Sequence, residues 1–103
     1  MTRDSSFLGE LVAGFIGDVR DILAKTNHAV GSHKNTEIPD LMHSLKGAAV
    51  GIGAVKLAAL STDLDRSLGK ISREDLATKV NQIEQCFELT SAFLTRYLQL
   101  HQH

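Results

Sequence analysis

The chain has 103 residues, 43% of them hydrophobic, so one core can hide roughly two-thirds of the surface on folding. Its 11 Lys and Arg nearly cancel its 12 Asp and Glu for a net charge of -1, which leaves no basic field for a nucleic acid. The single cysteine, Cys86, excludes an intrachain disulfide scaffold. No apolar run nears the ~18–20 residues that span a bilayer, and Met1 to Ser6 lack the layout of an export signal. The expectation is a cytoplasmic, soluble protein without membrane contact or a nucleic-acid partner.

One proline, no tryptophan and 5% aromatic residues argue against a turn-dense β domain. Phe7, Leu8, Leu11, Val12, Phe15, Ile16, Val19, Ile22 and Leu23 form the i, i+3, i+4, i+7 stripe of an amphipathic helix. Gly9, Gly14 and Gly17 interrupt it at about 1 kcal/mol each relative to alanine, which predicts a bend or a split with a short leading helix. The stripe fades through Lys25, Thr26 and Asn27, and Gly31 to Asn35 reads as the first connection.

A second helix begins near residue 37, with Thr36 as its N-cap, Glu37 facing the helix dipole and Pro39 in the first turn, where amides lack intrahelical acceptors. Its stripe of Ile38, Leu41, Met42, Leu45, Ala48, Ala49 and Ile52 runs into Gly51-Ile52-Gly53, which suits a helix end. A third helix follows from about Ala54 to Gly69, burying Leu57, Leu60 or Ser61, Leu64 and Leu68. The last opens at Ser72, with Asp75 completing a variant capping box, and carries Leu76, Val80, Ile83, Phe87, Thr90, Leu94, Tyr97 and Leu98. No segment alternates like a strand, and no repeat or linker divides the chain. The prediction is an all-α, antiparallel up-and-down four-helix bundle formed by one domain over residues 1–103.

At ~100° per residue, the apolar set Ile38, Leu41, Leu45, Ala49 and Ile52 of the second helix clusters within about 80° of arc. His43 points almost the opposite way, with Lys46, Gly47 and Val50 as its surface neighbours. A lone exposed histidine is usually an ordinary surface residue. Its neighbours change that judgement. Gly47 gives up helix stability on a face that buries nothing, which makes sense where another molecule must approach the backbone beside His43. Lys46 adds a mobile ammonium suited to a phosphoryl group.

The run His43-Ser44-Leu45-Lys46-Gly47-Ala48-Ala49-Val50-Gly51-Ile52-Gly53-Ala54, followed by Leu57, resembles the signature of histidine-containing phosphotransfer (HPt) domains: His-x-Leu-Lys-Gly, a spacer, then Gly-Ala and a leucine. The resemblance extends through Phe15 and Asp18, a Phe-x-x-Asp pair, and through Leu60 to Asp65. Ser61 stands where the family often has cysteine and Asp65 where it often has glutamate. Neither departure is expected to touch the phosphoryl site.

The resemblance implies a phosphorelay intermediate. A receiver domain's phospho-aspartate passes its phosphoryl group to His43, and His43 passes it to a second receiver. The implied partners are response-regulator receiver domains of a hybrid sensor histidine kinase, which would supply Mg²⁺, the acidic cluster and the phosphate pocket, so this chain is expected to hold no cofactor or metal. An imidazole with an ordinary pKa near ~6.5 is largely neutral at physiological pH and offers a nucleophilic nitrogen without a dedicated base. Lys46 would stabilise phosphoryl charge, and Gly47 and Val50 would receive the docking partner.

Other readings fit less well. The chain lacks a Gly-x-x-x-x-Gly-Lys-Ser/Thr loop, so autonomous kinase activity is not expected, and it lacks the Glu-x-x-His pairs of a di-metal bundle. His101 and His103 read as a frayed tail. His28 and His33 are not followed by a Lys-Gly pair. The alternative from a different class is a non-catalytic interaction domain that binds a receiver or effector and regulates it. Loss of His43 or Lys46 would mark that alternative, and both residues are present.

Overall fold

A computed structural model describes the backbone of residues 2–101 and the side chains of residues 7–101. Four helices follow in order: α1 (Thr2–Gly31), α2 (Ile38–Ile52), α3 (Val55–Ser67) and α4 (Arg73–Leu100), with a 3-10 turn at Asn35–Glu37 before α2. Each helix packs on two others in a ring, α1 on α2, α2 on α3, α3 on α4 and α4 on α1. That is the expected up-and-down bundle, and there are no strands among the described residues. None of these helices is long and apolar enough to cross a membrane.

The stripes meet in one core. Val19, Ile38, Met42, Leu45, Leu57, Leu64, Ile83 and Phe87 are fully buried, and the rings of Phe15 and Phe87 lie 6.1 Å apart at 56°. Three buried hydroxyls interrupt the apolar surface: Ser91 Oγ has no partner among the described residues, whereas Thr26 and Ser61 each donate to the carbonyl one turn back, Thr26 to Ile22 and Ser61 to Leu57, both at 2.8 Å. These two bonds remove the cost of an unpaired buried donor at Thr26 and Ser61.

Three expectations need correction. Helix α1 is a single 30-residue helix with no split. Its glycines lie off the buried face, and burial of Val12, Phe15, Val19, Leu23, Thr26 and Ala29 outweighs their low propensity. Thr36 sits inside the 3-10 turn and does not cap α2, whose N-cap is Glu37 without a side-chain bond. The incoming turn makes a side-chain cap unnecessary, because the Glu37 amide donates to Lys34 O at 3.1 Å and the Ile38 amide to Asn35 O. Phe7, Leu11 and Tyr97, expected in the buried stripes, are exposed. At ~1.5 Å per residue α1 and α4 run about 45 and 42 Å, roughly twice the length of α2 and α3, so their free ends outrun the α2–α3 hairpin. The molecule is accordingly elongated, 50 × 19 × 17 Å.

Other local readings hold. Ser72 caps α4 by accepting from the Asp75 amide at 3.1 Å, and α2 ends on Gly53 at φ +81°. That left-handed conformation disfavours any residue with a Cβ. The Gly53 amide reaches back to Val50 O and the Ala54 amide to Ala49 O, so the chain turns directly into α3 and sets α3 beside α2.

Candidate functional site

Ile38, Met42, Leu45 and Ala49 are buried, and they fix the rotation of α2 about its own axis. The opposite side is thereby committed to solvent. The His43 side chain is 67% exposed, Val50 is 62% exposed, and Lys46 and Gly47 are exposed between them. The predicted patch is therefore one continuous surface on the crest of α2.

The imidazole has a partner that sequence reading did not supply. His43 Nε2 lies 3.0 Å from Oδ2 of Asp65 on α3, a side chain that is 28% exposed. Asp65 therefore belongs to the site, contrary to expectation. At ~100° per residue it sits about 75° from the centre of the Leu57, Ser61, Leu64 stripe, on the flank that turns toward α2. A carboxylate only accepts, so Nε2–H donates in this contact, and in the neutral ring the lone pair then lies on Nδ1. An exposed pair of this kind is worth at most about 1 kcal/mol, enough to bias the ring without locking it. Ser61, the other departure, is buried and serves packing as expected.

Lys46 and Gly47 are adjacent in sequence yet open onto different sides of the crest. Toward α3, Lys46 lines a shallow groove of ≈ 360 Å³ with Ala58, Ala59, Thr62, Asp63 and Arg66. Asp63 is held by Lys79 at 2.6 Å, and among the described residues no carboxylate lies within ion-pair distance of Lys46. Its ammonium is available to an incoming group. Toward α1, Gly47 and Gly51 line a second groove of ≈ 290 Å³ with Leu11, Gly14, Phe15 and Asp18. A Cβ placed on Gly47 would meet nothing within 4 Å. Helix packing therefore gives no reason for this glycine, and the open backbone beside His43 is its structural consequence.

The remaining histidines are arranged differently. His28 lies in a groove with Lys25, Thr36, Glu37 and Asp40. His33, at φ +59°, is engaged by Arg73, whose Nη1 lies 2.7 Å from Nε2. The ring of His101 packs on Tyr97 with centroids 4.2 Å apart, and His103 lies outside the described residues. Among the described residues no three His, Cys, Asp or Glu side chains are grouped so that they could hold a metal ion.

Comparison with curated proteins and with solved structures gave no match. The family model of the Hpt domain matches residues 10–96, a span that includes the whole His43 surface and its Asp65 contact. The chain belongs to the histidine-containing phosphotransfer domain family.

Proposed function

We propose that this chain is a phosphorelay intermediate that takes a phosphoryl group from a receiver-domain aspartate onto His43 and hands it to the aspartate of a second receiver. Domains of this family act in histidine phosphotransfer and interact with response-regulator receiver domains. The observation that carries the reading is the exposed imidazole on the crest of α2, with Lys46 and Gly47 beside it and the Asp65 carboxylate on its ring N–H.

The unprotonated ring nitrogen attacks phosphorus as the acyl-phosphate O–P bond breaks and the receiver's carboxylate departs. The ring gains positive charge as the N–P bond forms, and a carboxylate on its N–H offsets that charge. Lys46 follows the phosphoryl oxygens as a point charge. Gly47 and Val50 let the receiver's pocket come close enough for in-line attack, because transfer of this kind depends mostly on positioning. Mg²⁺ carried by the receiver would screen the phosphoryl charge. The chain works as one module in the cytoplasm, and its receivers belong to a hybrid sensor histidine kinase.

The test is transfer from a panel of phosphorylated receivers to the wild-type chain and to His43→Gln. Wild type should take label from at least one receiver. The variant should take none, with stability changed by no more than about 0.5 kcal/mol, as for other surface substitutions. Undiminished labelling of the variant would move the site elsewhere.

A further inference from the structure

Helix α4 is apolar on two sides. Leu76, Val80, Ile83 and Phe87 are buried against the bundle. A second stripe, Cys86, Leu89, Phe93, Tyr97 and Leu100, has steps of three, four, four and three residues, and at ~100° per residue its centre lies about 110° around the helix from the first. Cys86 is half-buried, whereas the other four are between 44% and 74% exposed. The neighbouring α3 adds Val55, 78% exposed, and an apolar groove of ≈ 370 Å³ runs between Val55 and Leu57 on one side and Cys86, Leu89 and Phe93 on the other. None of these residues belongs to the His43 surface.

Val55, Leu89, Phe93, Tyr97 and Leu100 together expose on the order of 500 Å² of largely apolar surface, near the upper end of what a monomer's largest patch presents, ~300–600 Å². Steps of three and four that average ~3.5 residues are the spacing of a helix–helix seam. From these observations the geometry points to a homodimer in which α4 packs antiparallel on α4 of a second copy, about a two-fold axis at Phe93.

The stripe complements itself in that register. Phe93 meets Phe93 of the second copy, Leu89 meets its Tyr97, and Cys86 meets its Leu100, each pair being equidistant from the axis. Every apolar residue thus faces an apolar one. The area agrees as well. An apolar centre of roughly 500 Å² per copy, widened by a polar rim, approaches the ~800 Å² per partner of a standard specific interface. Each copy keeps its His43 face uncovered.

Sedimentation equilibrium of the intact chain from micromolar to millimolar concentration tests this. The wild type should dimerise with rising concentration. Phe93→Glu, which sets like charges together at the axis, should weaken the dimer at least ~100-fold while leaving helicity and phosphoryl acceptance unchanged. Leu89→Arg should do the same and is the second variant if the first loses helicity. Mild oxidation should cross-link a Phe93→Cys, Cys86→Ala chain but not the wild type. The antiparallel register holds the two Cys86 residues ~21 Å apart along the axis, well beyond the ~7 Å Cα separation of a disulfide. A chain that stays monomeric throughout, a dimer indifferent to both charge variants, or rapid wild-type cross-linking through Cys86 would each overturn the proposal.

Discussion

The two faces of α2 share a backbone and differ in what selects their side chains. On one face Met42, Leu45 and Ala49 are buried, and large apolar groups there are explained fully by the core they fill. On the other, His43, Lys46, Gly47 and Val50 meet water, where neither packing nor propensity asks for a glycine in mid-helix. A residue that the fold does not require, on a face the fold leaves open, is where chemistry becomes visible. The buried face sets the angle at which the exposed one is presented, so the two are mechanically linked but separable by substitution.

Four changes test that separation, from the largest expected effect to the smallest. Leu45→Ala should cost about 2–5 kcal/mol in denaturant unfolding, because it empties a fully buried position. Any loss of transfer should then track the unfolded fraction. Gly47→Leu should do the reverse. With nothing within 4 Å of the added Cβ, the melting temperature should not fall, while receiver-to-His43 transfer should drop on the order of 100-fold, since small misplacements of reacting groups carry such costs. A wild-type transfer rate with unchanged receiver affinity would remove the glycine from the docking surface. Lys46→Ala should retain most receiver binding and slow transfer by roughly ten- to a hundred-fold in rapid-quench assays, the effect of losing one charge-stabilising donor. Asp65→Asn should be mildest, slowing transfer about several-fold with unchanged helicity. The His43 ring ¹⁵N spectrum should report loss of the tautomer bias, and Asp65→Glu should recover part of the rate.

How much of this was legible in the sequence depended on whether the information was local. The phase of α2 placed Leu45 inside and His43 outside from periodicity alone, and the cap at Ser72 followed from the reach of a hydroxyl to an amide three residues on. Leu64 and Phe87 were read as core in the same way. Contacts between helices carry no periodicity. Asp65 is 22 residues from His43, and only the packing angle of α3 on α2 brings its carboxylate to the ring, so the sequence marked the position as a family departure and not as part of the site. Helix length was misjudged for a related reason. Local glycine costs suggested a break in α1, but burial along the whole helix decides the matter. The same stripe logic put Phe7, Leu11 and Tyr97 inside, although Phe7 and Tyr97 lie toward the free ends of the two long helices and Leu11 faces α2 only across the open groove lined by Gly47 and Gly51. Thr36 was read as a cap because a side-chain acceptor is visible in sequence, whereas the backbone carbonyls of a preceding turn are not.

The central claim is that the crest of α2 carries the phosphoryl group on His43. Its most direct measurement is localisation of the phosphate on the wild-type chain after incubation with a phosphorylated receiver, by ³¹P NMR and by fragment mapping under alkaline conditions. A single phosphoramidate resonance, stable to alkali, labile to acid and mapped to the peptide that contains His43, is the predicted result. Phosphate on His28 or His33, or a receiver that binds tightly while its phospho-aspartate persists and the chain stays unlabelled, would contradict it.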